Sequence, residues 1–131
     1  MPLDFSTIAI VLDADFGGQL SELASRMPVW IVDTPANRAS IESEWTRRRR
    51  DGAERELSVF RLIEGLSASE HLAALLRTID RQHGASAEDG PFTTLRVYGA
   101  SPAAAPAAVI RELGGGEPVA TGDGFEVAFA R

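Results

Sequence analysis

The feature that most restricts the fold of this chain is the segment from Ile8 to Gly18, IAIVLDADFGG. Its first five residues, Ile8 to Leu12, are all apolar, which is typical of a strand buried on both faces, as in a parallel sheet covered by helices. Asp13 and Asp15 follow this run, and a glycine pair then opens a helical pattern. Because ligands of parallel sheets bind beyond the carboxyl ends of the strands, the segment also predicts where a site would lie.

Strand and helix patterns alternate along the rest of the chain. Compact apolar runs predict strands, and apolar residues at helical spacing predict helices. The predicted elements are strands at 8–12, 29–32, 57–63 and 93–98, a hairpin within 118–131, and helices at 20–27, 36–51, 68–83 and after Ser101. In the last of these helices, Pro106 predicts either an irregular first turn or a later start. This alternation indicates βαβ units, and therefore parallel strands joined by right-handed crossovers.

Two helix starts are marked by capping residues. Thr34 precedes Pro35, and threonine suits the N-cap position while proline suits the first helical position. Ser67 and Glu70 have the spacing of a capping box, in which each side chain bonds the backbone N–H of the other residue. The helix after Ser67 has an apolar stripe that we expect to be buried, formed by Leu72, Leu75, Leu76 and Ile79.

We therefore predict one α/β domain over residues 1–131, a layered sandwich with a mainly parallel sheet and an antiparallel edge or hairpin at the C-terminal end. The strand at 93–98 alternates apolar and polar residues, and the strand at 57–63 contains Arg61. One face of each is therefore expected to be exposed. Because these two strands are amphipathic, a ferredoxin-like α+β arrangement is the alternative.

Composition excludes several classes of function. The chain has no cysteine, which excludes disulfides, thiolate catalysis and cysteine-bound zinc. All 13 basic residues are arginine, so no lysine is present for a Schiff base or a P-loop. The net charge of −6 opposes general binding to nucleic acid or anionic membranes. Since neither a signal-peptide pattern nor an apolar run near the ~20 residues of a membrane span is present, we expect a cytoplasmic protein.

Carboxylates follow two strands that we expect to be neighbours. Asp13 and Asp15 end the first strand and Asp33 ends the second, so three carboxylates would meet at one edge of a parallel sheet. Oxygen ligands suit Mg²⁺, which takes one or two carboxylates together with a substrate phosphate. The candidate metal ligands are therefore Asp13, Asp15 and Asp33. The competing interpretation is that aspartates end these strands because the chain turns there into water.

The Asp13-Ala14-Asp15 step after an apolar strand resembles the first motif of the haloacid-dehalogenase-type phosphohydrolases. The resemblance implies that Asp13 is a catalytic nucleophile and Asp15 the general acid/base, and it places a phosphate-binding hydroxyl at Thr34. It is confined to this motif. The family's lysine has no counterpart here, and no later acidic pair follows a strand. The size and acidic first loop also resemble a phosphoacceptor receiver domain, which would need the same missing lysine.

Gly17 and Gly18 precede the first helix, where backbone N–H groups can bind an anion. The competing interpretation is a turn that needs glycine, because the GxGxxG spacing is absent and two nearby aspartates repel a phosphate unless a cation intervenes. Gly17, Gly18 and Thr34 are the candidate ligand-binding residues at this turn.

The predicted helix at 36–51 has few large apolar residues and contains a run of four arginines. Five arginines against three acids give it a charge of +2, on a chain whose other residues sum to −8. Glu44 can pair with Arg48 and Arg49 can lie over Trp45, so a solvated and self-paired surface is one interpretation. The other is a contact surface for an acidic partner or a second subunit, with Trp45, Arg48 and Arg49 at the interface.

The two histidines and one serine give weaker signals. His71 and His83 lie twelve residues apart on one predicted helix, too far along it to share a metal, and we expect incidental surface roles for both. Ser101 follows a strand but lacks the GxSxG context of a nucleophile, so it is expected to cap a helix.

Because no catalytic set is complete, the leading hypothesis is a non-catalytic protein-interaction or regulatory module that needs no cofactor and forms a homodimer or binds a protein partner. Nucleic acid and membranes are not expected partners. The first alternative is a Mg²⁺-dependent phosphoryl-transfer enzyme that uses the strand-end aspartates. The second is a binder of small anionic metabolites.

Overall fold

The structure, a computed structural model, describes residues 6–13, 20–24, 26–51, 57–61, 65–84 and 91–130. These residues contain six strands and four α-helices, with a short 3-10 helix (Pro102–Ala104) before the last helix. In chain order they are β1 (Thr7–Val11), α1 (Leu20–Ala24), β2 (Val29–Asp33), α2 (Pro35–Asp51), β3 (Leu57–Arg61), α3 (Ala68–His83), β4 (Thr94–Tyr98), α4 (Ala107–Glu112), β5 (Val119–Ala120) and β6 (Gly124–Ala128).

All six strands form one sheet in the order β3-β2-β1-β4-β6-β5. Strand β1 pairs in parallel with both β2 and β4, and β3 pairs in parallel with β2. Strand β6 is antiparallel to β4 and forms the predicted terminal hairpin with β5. The predicted α/β architecture, with a mainly parallel sheet and an antiparallel C-terminal edge, is confirmed. The ferredoxin-like alternative is wrong, because helices pack on both faces of the sheet rather than on one face of an antiparallel sheet.

Strand β1 lies in the middle of the sheet because its residues are apolar on both sides. Ile8 and Ile10 face one core, whereas Ala9 and Val11 face the other, and all four are fully buried. The sequence IAIV therefore specifies a strand that must be covered twice, and the chain covers it with α1 and α2 on one face and α3 and α4 on the other.

The larger core lies between the sheet and helices α3 and α4, and we call this side the α3/α4 face. The predicted stripe of α3 packs here with the apolar residues of β4 and β6. Phe92 and Phe129 meet edge to face, with ring centroids 5.0 Å apart. The residues that fill this core include Leu72, Leu75, Leu76, Ile79, Leu95, Val97, Ile110, Phe125 and Val127.

The smaller core lies under α1 and α2, on what we call the α1/α2 face. Leu20, Leu23 and Met27 from the α1 region and Ile41 from α2 pack over β1 and β2, and Tyr98 of β4 joins this cluster. Beyond Tyr98 the cluster does not continue onto β6 or β5. One half of this face is therefore covered by helices, and the other half is not covered by any helix of the described residues.

The predicted capping box at the start of α3 is present. The backbone N–H of Ser67 donates to the Glu70 carboxylate at 3.1 Å, and the backbone N–H of Glu70 donates to the Ser67 hydroxyl at 3.2 Å. Because the ionised carboxylate accepts the hydrogen bond from the backbone N–H of Ser67, with a further contribution from the Ser67 side chain, the pKa of Glu70 lies below its ordinary value of 4.5. Gly84 ends the helix, as predicted.

The segment after β4 has the irregular start that Pro106 predicts. A 3-10 turn comes first, and α4 begins only after Pro106, which has no N–H with which to continue a helix. The Ser101 side chain makes no capping hydrogen bond, so its predicted capping role is wrong; its backbone carbonyl accepts from Ala104 instead. Val109 and Ile110 are buried, as expected.

Among the described residues, no helix is long and apolar enough to cross a membrane. The predicted strand at 57–63 is observed as β3 up to Arg61, and residues 62–64 lie outside the described part of the chain.

Candidate functional site

The carboxyl ends of β1 and β4 meet where the direction of chain winding reverses. From β1 the chain runs to β2 and β3 with its helices on the α1/α2 face, and it returns to β4 through α3 on the opposite face. In open α/β sheets such a reversal leaves a crevice beyond the strand ends, and ligands bind there. Asp13 follows the end of β1 by two residues, and its side chain is exposed beside this crevice.

Gly99 lets the ends of β1 and β4 approach each other closely. The N–H of Leu12 donates to the carbonyl of Tyr98 at 2.9 Å, so the two chains stay paired beyond the last strand residues. Gly99 has a φ of +88°, and a Cβ atom placed on it would lie 2.7 Å from the backbone nitrogen of Asp13 and 2.8 Å from its Cβ. The position of Asp13 therefore depends on glycine at residue 99.

The carboxyl end of β2 is organised by Asn37, which the sequence analysis missed. Asn37 is 1% exposed, and its amide donates to the carbonyls of Leu12 at 3.0 Å and Val32 at 2.9 Å. It therefore ties the end of β1 to the end of β2. The available signal was its spacing from Ile41, since positions 37, 41 and 44 recur at i, i+4 and i+7 and all three are buried.

Asp33 and Thr34 follow β2 at the same edge. The Thr34 hydroxyl accepts the N–H of Asn37 at 3.1 Å, which confirms Thr34 as a cap of α2. Asp33 is partly exposed and lies 3.8 Å from the guanidinium of Arg38. Because one carboxylate already faces an arginine of the same chain, part of its charge is balanced locally.

A third carboxylate, that of Asp123, reaches this edge from the hairpin. Since β6 is antiparallel to β4, its first residues lie beside the end of β4, and the N–H of Gly99 donates to the carbonyl of Asp123 at 3.0 Å. The Thr121 hydroxyl donates to the Asp123 carboxylate at 3.2 Å. An open cleft of about 600 Å³ lies between the 3-10 turn and the hairpin and includes Ser101 and Asp123 in its lining.

The predicted metal site lies partly outside the described residues. Within the described ranges, no three His, Asp or Glu side chains come together in a way that could hold a metal ion. Asp15, Gly17 and Gly18 lie outside the described residues. The site built from Asp13, Asp15 and Asp33 therefore stays a prediction, as does an anion site at the glycine pair.

A second candidate surface is the uncovered half of the α1/α2 face, which we call the open half. Its strands are β4, β6 and β5, and residues paired across strands lie on the same side of a sheet. Val119 pairs with Glu126, and Glu126 pairs with Arg96, so these three side chains form a row across the open half. Arg96 and Glu126 are 3.4 Å apart and about two-fifths exposed.

The open half carries an exposed apolar residue beside a shallow depression. Val119 is 63% exposed. The depression, of about 230 Å³, is lined by residues of β4 and of the hairpin, which include Arg96, Tyr98, Thr121 and Glu126. This combination of a charged pair, a hydroxyl and an exposed valine suits a contact surface better than an enclosed ligand pocket.

Helix α2 forms the raised part of the same face. Trp45 is 43% exposed on it, which agrees with the predicted interface role without testing it. Most of the described side chains of this helix are exposed, as its few large apolar residues predict, whereas Ile41 packs into the core and Glu44 is 3% exposed. The side chains of Arg48 and Arg49 lie outside the described part of the chain, and so do their predicted pairings with Glu44 and Trp45.

The surface role expected for His71 is wrong. This residue is 8% exposed, and its Nδ1 lies 3.2 Å from the carbonyl of Ser67, within hydrogen-bond distance. It belongs to the first turn of α3. The side chain of His83 lies outside the described residues.

These features define the class of the molecule as a doubly wound α/β domain with a crevice at its strand ends and one half-covered sheet face. Comparison with known proteins adds no family to this class, since no family model, no curated protein and no solved structure matches the chain.

Proposed function

We propose that this chain is a non-catalytic protein-interaction module, which binds a second copy of itself or another protein through the α1/α2 face. The observation that carries the proposal is the position of Trp45 and Val119. Among the described residues, these are the large hydrophobic side chains left exposed, and both lie on this face. Single exposed apolar residues are common on protein surfaces, and the presence of two on one half-covered sheet face is what supports a contact surface here.

The chemistry of this face supports protein rather than small-molecule binding. Tryptophan and arginine are enriched among residues that dominate binding energy at interfaces. Arg96 and Glu126 form an ion pair within the same chain, so their opposite charges offset each other and this part of the surface does not present a single strong charge. A partner of mixed apolar and polar character therefore fits this surface.

The test is the oligomeric state of the wild type and of Trp45→Ala, measured by sedimentation velocity over micromolar concentrations. The expected result is a dimer whose Kd rises at least tenfold, since truncating an interface tryptophan costs more than about 1.4 kcal/mol. Thr46→Ala is the matched control, because Thr46 is the next residue on the same helix and is exposed. A wild type that stays monomeric at 100 μM, or a Trp45→Ala variant that associates normally, would contradict self-association.

A second candidate function is Mg²⁺-dependent phosphoryl transfer at the strand-end crevice, with Asp13 as nucleophile or ligand and Asp15 as acid/base or ligand. The observation in its favour is the reversal of winding beside β1, with Gly99 bringing the end of β4 against Asp13. From the end of the next strand, Asp33 would bind the cation and Thr34 would bind the phosphate. The remaining alternative is a binder of small anionic metabolites, in which Gly17 and Gly18 would bind the anion and no metal would be needed.

Thermal melts separate these alternatives. A cation that binds the folded state alone stabilises it by about 2.7 kcal/mol at a hundred times its Kd. Under the metal proposal, millimolar Mg²⁺ raises the melting temperature of the wild type, whereas Asp13→Asn does not respond. Inorganic phosphate is then added without and with Mg²⁺. Stabilisation by phosphate alone supports the anion site, and no response to either ligand contradicts both.

A further inference from the structure

The α1/α2 face has a raised half and a recessed half. Helices α1 and α2 lie over β1 and β2, while Arg96 of β4 and the strands β6 and β5 have no helix of the described residues above them. A helix layer stands about 10 Å above a sheet, so the recess has the depth of one helix. The two halves lie side by side on one face of one sheet.

We infer that two copies of this chain pack face to face about a two-fold axis, so that α2 of each copy lies in the open half of the other. This inference rests on the proposed self-association and specifies its geometry. A two-fold axis parallel to the strands, placed above the middle of the sheet, exchanges the raised and recessed halves. The interface is then isologous, with α2 against the open half occurring twice.

Charge supports this arrangement. Helix α2 carries five arginines and three acids, whereas residues 117–126 contain three acids and no basic residue, and Arg96 of β4 balances only one of these acids, Glu126. Two chains of net charge −6 repel each other on average. Placing α2 on the partner's hairpin opposes this repulsion with two attractive contacts, whereas placing α2 against α2 would add to it.

The exposed apolar residues also match. Trp45 lies on α2 and Val119 lies on the open half, so the two-fold arrangement brings the Trp45-bearing helix of one copy onto the Val119-bearing hairpin of its partner twice. Burying tryptophan and valine against each other removes the two exposed large hydrophobics of the described residues from water at both contacts.

The area is sufficient for a specific dimer. A helix of 17 residues, as α2 is, covers a projected area of about 250 Å². Two such contacts, each covering a surface on both copies, bury about 1,000 Å² in total, which reaches the lower bound for a specific interface.

Pairing along the edge of the hairpin is one alternative for two copies. The edge strand β5 has only two residues and follows Pro118, which cannot donate a backbone hydrogen bond. Short strands and prolines are features that block edge-to-edge association. The face of the hairpin is therefore the favoured contact, and its edge is not.

The experiment is complementation between two variants that damage opposite halves of the contact. Trp45→Ala alters the helix, and Val119→Arg alters the open half while placing an arginine across from Glu126, which preserves the strand. Ala120→Arg is the matched control, because residue 120 is also exposed but pairs with Phe125 and so faces the other side. Each variant is studied alone and in an equimolar mixture by sedimentation velocity.

The two-fold arrangement predicts that each variant alone raises the dimer Kd at least tenfold and that the mixture dimerises more tightly than either variant. In the mixed dimer, one contact retains both Trp45 and Val119, and the other contact carries both substitutions. Ala120→Arg is expected to associate like the wild type.

The other outcomes separate the two proposals. If Trp45→Ala weakens association and Val119→Arg does not, or if the mixture gives no recovery, the interaction module stands and the reciprocal two-fold geometry fails. If neither substitution changes association, both proposals fail. If Ala120→Arg weakens association as much as Val119→Arg, the contact runs along the sheet edge, which also overturns the inference.

Discussion

The two faces of this sheet are built from the same strands but have different partners. On the α3/α4 face, Leu95, Val97, Phe125 and Val127 are at most 2% exposed under two helices. On the other face, the intervening residues of β4 and β6 include the half-exposed Arg96–Glu126 pair. Apolar and polar residues alternate along β4 and β6 because no helix of the described residues covers one face of these strands. In β1 the apolar run is unbroken because both faces of the strand are covered.

The helices show the same contrast. Helix α3 spans 16 residues and covers its face with a continuous apolar stripe. Helix α1 has only five residues, and its cluster reaches no further across the sheet than Tyr98. The open half thus follows from the topology, because α1 and α2 connect β1, β2 and β3, whereas α3 and α4 pack on the other face.

The largest expected effect distinguishes the two faces of β6 directly. Phe125 is 1% exposed on the α3/α4 face, and Phe125→Ala is expected to lower the free energy of unfolding by about 3–5 kcal/mol. Its neighbour Glu126 lies on the open half, so Glu126→Ala is expected to cost less than about 1 kcal/mol. Urea unfolding of both variants at low micromolar concentration measures the difference. Equal losses would mean that the open half is as tightly packed as the covered face.

A smaller effect is expected where the covered half is tied together at its strand ends. Asn37→Ala removes two buried hydrogen bonds and leaves the carbonyls of Leu12 and Val32 without this donor, at a cost of about 1–3 kcal/mol. Arg38→Ala is the control, because Arg38 is the next residue and its side chain is 60% exposed. If both variants unfold at the same urea concentration, Asn37 does not hold the ends of β1 and β2.

The capping box adds a pH-dependent contribution to the α3/α4 face. The pKa of Glu70 is lower in the folded state than its ordinary value of 4.5, so its stabilising effect is present above that value and is lost as the pH falls through the folded-state pKa. Glu70→Gln keeps an acceptor but does not titrate. We expect the difference in melting temperature between wild type and Glu70→Gln to favour the wild type at pH 7 and to shrink towards pH 3. A constant difference would exclude this linkage.

The smallest effects concern one ion pair on each face. Arg77 contacts Glu112 through two nitrogens, at 3.2 and 3.1 Å, and links α3 to α4, whereas Arg96 and Glu126 lie on the open half. Both pairs are largely solvated, so double-mutant cycles should give about 0.2–1 kcal/mol, decreasing with salt. Above the dimer Kd, the Arg96–Glu126 pair should lose its salt dependence if the open half is covered by a partner. Identical salt curves at all concentrations would contradict that covering.

Local residue patterns were sufficient to predict most elements and both cores. Continuous apolar runs predicted β1 and β2, and the capping box with its stripe predicted α3, because these signals depend on neighbours in the chain. The strand order was not predicted, since it depends on which way each crossover turns. Pro106 predicted an irregular or late start of the last helix, and a 3-10 turn does precede α4, because proline restricts the backbone by its own ring and needs no tertiary partner.

The site was less predictable because its residues come together through tertiary structure. Asn37 and Glu44 are polar, and hydropathy alone assigns such residues to the surface, although both are buried. Asp123 is distant in sequence from Asp13, and only the antiparallel direction of β6 brings it to the edge where the parallel strands end. The two aspartates that could be read from position alone, Asp13 and Asp33, do lie at that edge.

The pairing of β1 with β4 also sets the order of events during synthesis. Thr7 pairs with Thr94, so the most apolar strand of the chain waits for a partner made 87 residues later. At ribosomal rates of about 5–20 residues per second, that delay is about 4–17 seconds. During this time Ile8 to Val11 has β2 as a neighbour on one edge at most, and its other edge is unpaired. Nascent chains stalled before residue 94 should therefore be strong clients of chaperones that bind extended apolar segments, and chains released after β4 should not.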